Sequence, residues 1–290
     1  MRAFFFGLGY SAGASADFMR GTGAFAGMAG TVRTAQKAAA LAERSLGAMI
    51  FDGRQKGPEV GPALATGVSH VIQSIAPDED GDPVLRHHRD ELDAARDLEW
   101  LCYYSTIGVY GDFDGAWIDE RAPLVPRNMR SDWRVLAEDE WRAYAAARGI
   151  KLLVLRLAGI YGPGRSAFDK LRAGTARRIV KPGQVFNRIH RADIARVTAL
   201  AAQRRLAGTF NLADDAPAPP QEVTAHAAAL IGMAPPPEEA FATAAMTPMQ
   251  RGFYRDNKRV CNRAIKAALG IELLYPDYRA GLASILEAET

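Results

Sequence analysis

Cysteine is scarce: Cys102 and Cys261 stand 159 residues apart in a chain of 290. That spacing fits neither a metal site nor a disulfide framework, and the expectation is a protein of the reducing cytoplasm. No apolar run approaches the roughly 20 residues that a membrane helix requires. No basic block exists either. The 36 Lys+Arg residues are interspersed with 33 Asp+Glu, for a net charge of +3, so no nucleic-acid partner is expected. Histidines number five, and the adjacent pair His87-His88, with Asp90 and Glu91 nearby, would point in different directions on a helix, so no metal site is expected there. What the chain does have is 48% apolar residues, enough to bury a core and to exclude a disordered or fibrous chain. It also has 27 glycines and 53 alanines, so a motif spelled in those letters carries weight only through its position.

Short apolar runs alternate with helical stretches. Ala3–Phe6, Met28–Val32, Ala48–Phe51, Val68–Ser74, Leu101–Ser105 and Lys151–Leu157 read as strands. Ala12–Arg20, Gln36–Arg44, Asp90–Asp97 and Ser131–Arg148 read as the helices between them. Such alternation predicts right-handed βαβ units and a doubly wound α/β fold with a parallel sheet. Beyond Leu157 the alternation loosens around Gly162-Pro163-Gly164. Ala192–Arg204 reads as a helix and Gly208–Leu212 as a late strand, and Pro-rich turns follow at 216–220 and 234–237. The expected division is a nucleotide-binding domain over 1–158, continued by 184–215, and a smaller, mostly helical substrate domain from 159–183 and 216–290. The stretch from Arg2 to Ala16 also imitates a short secretory signal. A first strand entering a glycine turn is the reading that the following chain supports.

That turn, Gly7-Leu-Gly9-Tyr-Ser11-Ala12, is a GxGxx(G/A) element between strand and helix. The first glycine permits the turn, the second lets a pyrophosphate approach the backbone, and the small third residue lets helix and strand pack closely. Gly7, Gly9, Ser11 and Ala12 are therefore cofactor-binding candidates. At the end of the second strand stands Thr31-Val32-Arg33-Thr34, with no carboxylate to bind a ribose hydroxyl. Arg33 is a natural partner for a 2′-phosphate, so NADP is expected ahead of NAD. Asp52, ending the third strand, is a candidate for the adenine edge or a helix cap.

Several stretches together resemble the extended short-chain dehydrogenase/reductase superfamily, its NAD(P)-dependent sugar-nucleotide epimerase/dehydratase group, and more closely its atypical bacterial branch. They are Gly7–Ala12, Tyr104–Asp112 with Trp117–Glu120, Arg156–Gly164, Asn187–Ile194 and Asn257–Val260 through Gly270. The resemblance implies a Rossmann fold with a C-terminal substrate domain. It places Ser74, Ala76 and Pro77 near the nicotinamide ribose and implies subunit pairing through the helices around Asp90–Asp97 and Ser131–Arg148. In that family a Tyr-x-x-x-Lys pair and a Ser/Thr hydroxyl perform the chemistry. The hydroxyl position matches Thr106, but the pair positions fall on Arg130 and Arg134. Arginine, with a pKa above ~12, exchanges no proton near neutrality.

Tyr110 and Tyr161 lie past strand ends, where an open α/β sheet places its ligand, and are candidates for the missing proton donor or for pocket lining. Tyr254-Arg-Asp-Asn-Lys258 spells the pair literally but lies far past the sheet. The site expected is thus Thr106, Tyr110 and Arg134 for catalysis, with Tyr161, Arg165 and His190 for substrate. Arg165 would meet a phosphate or carboxylate, and the substrate would be a nucleotide sugar or carbonyl compound. An NADP-dependent oxidoreductase and a non-catalytic dinucleotide sensor are the two competing functions.

Overall fold

The computed structural model describes residues 1–44 and 46–289. The chain divides into two compact units: residues 1–109, 128–156 and 194–210 form the first, and 110–127, 157–193 and 211–290 the second.

The first unit is built on a seven-stranded sheet. β1 (Arg2–Phe6), β2 (Gly27–Val32), β3 (Gly47–Ile50), β4 (His70–Gln73) and β5 (Trp100–Thr106) are joined by strands Lys151–Leu157 and Gly208–Leu212. The spatial order is Gly208–Leu212, Lys151–Leu157, β5, β4, β1, β2, β3, with parallel pairing from β5 through to β3. Ala3 through Phe6 are all at most 2% exposed, as a parallel strand covered on both faces requires. Phe4 and Phe6 enter a core with Val71, Leu101, Tyr103 and Trp141.

The crossover helices are α1 (Tyr10–Gly21), α2 (Ala35–Ala42), α3 (Val60–Leu64), α4 (Pro83–Ala94) and α5 (Met129–Arg148). α4 begins seven residues before its expected start, because Asp82 caps it by accepting from the Val84 and Leu85 N–H groups and Pro83 opens the first turn. Asn128 caps α5 by accepting from Ser131 N–H, and Gly149 ends it at φ 65°.

A buried hydroxyl chain fastens α1 to β5 and to helix Arg191–Arg204. Ser15 Oγ lies 2.7 Å from Tyr104 Oη, which lies 2.7 Å from Thr198 Oγ1. Tyr104→Phe would remove both bonds from the core, Ser15 Oγ keeping its bond to Ser11 O at 3.2 Å, so a loss of about 1–3 kcal/mol in urea denaturation is expected.

The second unit contains three two-stranded parallel pairs: Gly159–Tyr161 with Arg188–His190, Arg178–Val180 with Glu238–Ala240, and Trp117–Ile118 with Arg259–Val260. Helices Ala167–Arg172, Pro220–Leu230 and Tyr278–Glu287 enclose its main core around Phe168, Leu171, Tyr278 and Leu282. Asn187 ties the unit's segments together. Its Oδ1 accepts from Val260 N–H at 2.8 Å, and its Nδ2 donates to Lys258 O at 2.9 Å.

The division differs from the expected one in that 110–127, 157–158, 184–193 and 211–215 fall in the second unit. Residues 184–193 belong to the second unit because Arg188–His190 pairs with Gly159–Tyr161, and 110–127 belong there because Trp117–Ile118 pairs with a strand some 140 residues later. No helix among the described residues is long and apolar enough to cross a membrane.

Candidate functional site

In the first unit the strand order reverses at β1, whose neighbours are β4 and β2. The loops following β1 and β4 therefore flank a crevice of the kind open α/β sheets use for ligands. Gly7 leaves β1 at φ +85°, and a Cβ there would come within 2.9 Å of both Ser74 Oγ and Ile75 Cγ1. Its N–H donates to Thr31 Oγ1 at 2.9 Å, and its carbonyl accepts from Ser74 Oγ at 2.6 Å. Leu8 N–H donates to Thr31 O at 2.7 Å. Thus β2 and β4 both hold the turn. Gly9 is the N-cap of α1 and offers no side-chain cap to the helix. A Cβ on Gly9 would meet only Gly7 O, at 3.8 Å, so space lies open beside the helix N-terminus. Ser11 is half-buried and Ala12 is 1% exposed, as close packing of α1 on the sheet requires.

This geometry fits a dinucleotide phosphate. An uncapped twelve-residue helix presents N–H groups and positive partial charge, and a glycine leaves room for close approach. Thr31 and Gln73 escaped the sequence reading. Gln73 accepts from Ile75 N–H at 2.7 Å and donates to the Ile75 carbonyl and to Asp82, fixing the segment that abuts Gly7. An amide at the end of a buried strand was the available signal for it.

Ser74 is half-buried on the turn, Ala76 is exposed and Pro77 is buried. Arg33 is exposed and makes no ion pair or hydrogen bond among the described residues. Its neighbour Thr34 is occupied in capping α2 through Lys37 N–H. Asp52 is no helix cap. It accepts from Arg54 N–H at 2.9 Å in a local turn, and the N-cap position of α3 is Glu59, which makes no side-chain cap bond.

At the end of β5, Thr106 is half-buried and its Oγ1 accepts from Gly108 N–H at 3.1 Å. Ser105 is committed elsewhere, donating to Glu138 Oε1 at 2.6 Å. Arg134 is not the solvated helix charge that its position on α5 allows. Its Nη1 donates to Tyr104 O at 2.6 Å and to Tyr103 Oη at 3.1 Å, and its guanidinium lies 5.7 Å from the Tyr103 ring. Arg130 is exposed.

The candidates of the second unit fare differently. Tyr110 is fully buried and donates to Asn211 Oδ1 at 2.7 Å, so its phenol is a core group and not a proton donor to substrate. Tyr161 belongs to the main core of the unit, donates to Asp277 O, and its phenol is pushed above the ordinary value by burial. Both corrections have one cause: aromatic residues at strand ends also complete cores. His190 is 4% exposed, with its ring against Tyr275 at 4.2 Å and Tyr161 at 5.1 Å. Its Nδ1 accepts from Ala192 N–H, and burial with the adjacent Arg191 lowers its pKa to about 4, so it is neutral near pH 7. Arg165 is exposed, on a turn closed by mutual backbone bonds with Gly162.

Tyr254 is buried, and Lys258 donates to Gly111 O at 2.5 Å, which assigns that Tyr-x-x-x-Lys string to packing. His88 is fully buried and accepts from Gly57 N–H through Nε2. Among the described residues no group of three or more His, Cys, Asp and Glu is arranged to hold a metal ion.

A sheet of this order, with the glycine turn at the reversal point and an uncapped helix behind it, defines a Rossmann-type dinucleotide-binding protein. The model of the NAD dependent epimerase/dehydratase family matches residues 52–213, and the chain belongs to that family. A functionally unknown conserved protein from Silicibacter pomeroyi is 43% identical, with a TM-score of 0.88 over 99% of this chain and 98% of that one. UDP-glucose 4-epimerase from Thermus thermophilus, solved with NAD, shares the fold at 19% identity and TM-score 0.77, over 99% of this chain and 100% of that one. A 3-diazoavenalumate denitrifying reductase from a Streptomyces species is 29% identical over 181 residues. That match spans 57% of this chain and 58% of the reductase.

Proposed function

We propose that this chain is an NADP-dependent oxidoreductase of the epimerase/dehydratase family, acting on a small carbonyl compound or nucleotide sugar without the usual tyrosine and lysine. The observation that carries this reading is the pairing of a braced glycine turn, open at Gly9, with an exposed guanidinium at Arg33, where β2 ends, that makes no ion pair or hydrogen bond among the described residues. A bound nicotinamide dinucleotide supplies hydride transfer. Gly7, Gly9, Ser11 and Ala12 would hold its pyrophosphate against the α1 N-terminus. Arg33 would grip a 2′-phosphate through its planar fork, Asp52 would lie at the adenine edge, and Ser74, Ala76 and Pro77 would line the nicotinamide ribose.

Thr106, whose oxygen accepts from Gly108 N–H, would donate its O–H to the substrate oxygen and polarise it. Arg134 would act through β5, holding the Tyr104 carbonyl beside Thr106. Arg165 and His190 would meet substrate. The likeness to a reductase supports the direction of the chemistry.

The test is NADPH and NADH affinity followed by NADPH oxidation against a panel of carbonyl compounds and nucleotide sugars. Arg33→Ala is expected to weaken NADPH by about 10- to 100-fold while leaving NADH within about twofold, since one charge-assisted phosphate contact is worth about 1.5–3 kcal/mol. Equal affinity for the two cofactors in the unaltered protein defeats the NADP assignment. Tight NADPH binding with no turnover across the panel, unchanged in Thr106→Ala, supports the sensor reading instead. The fixing of Arg134 on a backbone carbonyl is the observation that favours that second reading.

A further inference from the structure

The loop that follows β3 is fastened to α4 at three points. Arg86 Nη2 donates to Gly53 O at 3.4 Å, Lys56 forms an ion pair with Glu91, and Gly57 N–H donates to His88 Nε2 at 3.3 Å. Lys56 and Arg86 are exposed, so water competes for the first two fastenings. The third is buried on both sides, and the Gly57 amide has no solvent to turn to. The same loop reaches the glycine turn. A Cβ on Gly53, at φ +89°, would meet Pro83 at 3.5 Å and Ile75 at 4.0 Å, and the same Ile75 stands 2.9 Å from a Cβ built on Gly7.

The His88 ring packs against the rings of Phe51, at 4.6 Å, and Phe6, at 5.8 Å, both uncharged. The charged and titratable groups that face it are Glu91 and His87 on its own helix and Lys56 on the loop. Because Nε2 accepts from Gly57, the neutral ring carries its proton on Nδ1. Nδ1 lies 3.7 Å from Glu91 Oε2, too far for a hydrogen bond, and neither atom has another hydrogen-bond partner. The ring thus has one lone pair, and Gly57 uses it. An added proton occupies that lone pair and sets one N–H against another, while the new charge is drawn to Glu91. Burial, joined by Lys56 and His87 and opposed by Glu91, lowers the His88 pKa, so the ring is neutral at pH 7 and takes the proton only in acid.

We propose that His88 is a positioning residue for the dinucleotide: its neutral ring holds Gly57, and with it the loop that carries Asp52 and Gly53, and a proton on Nε2 releases that loop. The inference rests on the cofactor reading, since this loop leaves the carboxyl end of β3, where an open α/β sheet places its ligand. Release loosens the Asp52 edge and the packing of Gly53 on Ile75. Acid therefore weakens cofactor binding before it unfolds the protein.

The first measurement needs no cofactor. In the ¹⁵N-labelled protein the His88 ring is expected to show a bare Nε2 at about pH 7.5 and to titrate before about pH 4.5. The Gly57 amide should lose exchange protection by about tenfold or more in step with the ring, while the amides of Phe4, Phe5 and Phe6 keep theirs. The second measurement is the dissociation constant of NADP⁺ and of NAD⁺ over the same range. Affinity in the unaltered protein should fall at least about threefold more than in His88→Gln, whose amide oxygen can accept from Gly57 and takes no proton. Comparing the two proteins cancels the titration of the cofactor's own phosphate. At about pH 7.5 His88→Gln should bind within about threefold of the unaltered protein, and His88→Leu, which has no acceptor, about tenfold more weakly. A proton on Nε2 at about pH 7.5, a ring still neutral at about pH 4.5, Gly57 protection that ignores the ring, or an unchanged pH profile in His88→Gln overturns the proposal. Should the glutamine variant not fold, the ring and amide signals of the unaltered protein still decide. Full dinucleotide binding with Gly57 indifferent to the ring defeats the latch alone. No dinucleotide binding, with the ring and Gly57 titrating together, defeats the cofactor reading and the positioning role that rests on it.

Discussion

Glu138→Ala is expected to destabilise the protein by about 3–5 kcal/mol, seen as a fall in the urea midpoint and a markedly lower melting temperature. Glu138 is fully buried, and its two oxygens carry the ionic core of the first unit. Oε1 accepts from Ser105 Oγ at 2.6 Å and from Arg156 Nε at 3.1 Å, and Oε2 accepts from Arg156 Nη2 at 2.7 Å. Arg142 adds a bond to Oε2 at 2.6 Å from a partly exposed position, where screening by water leaves it worth little. Removing the carboxylate takes from Arg156, 4% exposed, its ion pair with Glu138. The cost of breaking one half of a buried pair, and not the net worth of the pair, sets the size of the loss. The double variant Glu138→Leu with Arg156→Met is therefore expected to recover much of the stability lost by the single change.

The same carboxylate makes the fold sensitive to acid. Burial pushes the Glu138 pKa up, but the Arg156 guanidinium, aided by Ser105 and Arg142, outweighs it and holds the group below the ordinary glutamate value. The folded state thus releases this proton more readily than the unfolded chain does. Its contribution to stability is complete above the unfolded glutamate pKa and is lost as pH falls through the lower folded value. In Glu138→Gln, stability measured from pH 7 down to pH 3 should fall less steeply than in the unaltered protein. Ser105 precedes Thr106 on β5, and Glu138 stands one turn beyond Arg134 on α5, so a softened core should lower any turnover that depends on Thr106.

The parallel sheet was legible because its interior strands are covered on both faces and so read as unbroken apolar runs, as at Phe4–Phe6 and Leu153–Leu155. Glycine at 7 and 9 was legible by position, since a turn at the end of the first strand has few other uses. Boundaries and roles set by long-range pairing were not. Nothing local in Trp117-Ile118 announces a partner at Arg259-Val260, so the second unit's claim on residues 110–127 was invisible. Tyr110 and Tyr161 look alike from sequence as pocket tyrosines. Only the Asn211 amide over one hydroxyl and the Asp277 carbonyl over the other give them to the core. Glu138 was not legible as a core residue, because a glutamate one turn past an arginine looks like any surface pair. Its burial against Arg156 comes from a strand that follows in sequence but packs beneath it.

Gly7→Ala and Gly9→Ala are expected to separate the turn's two tasks. Gly7 sits at φ +85°, where a side chain is strained whatever the space, and its Cβ would press within 2.9 Å of Ser74 Oγ and Ile75 Cγ1. Relief requires moving the residues that brace the turn, so about 1–3 kcal/mol of stability should be lost. Dinucleotide affinity should fall by about 100-fold or more, because the Ser74 and Thr31 bonds that aim the α1 N-terminus no longer fit. Gly9 is different. Its φ of −81° suits any residue, and an added methyl would touch only Gly7 O at 3.8 Å. Gly9→Ala should therefore keep the melting temperature within about 2 °C, as surface changes near ±0.5 kcal/mol do. Yet its methyl would stand where a pyrophosphate must approach the backbone, so NADPH and NADH affinity should both drop by about tenfold or more. Calorimetric titration of each variant with both cofactors, beside thermal unfolding of the free proteins, reads the two effects independently. Full cofactor affinity in Gly9→Ala would place the phosphates somewhere other than this turn, whatever Gly7→Ala does to the fold.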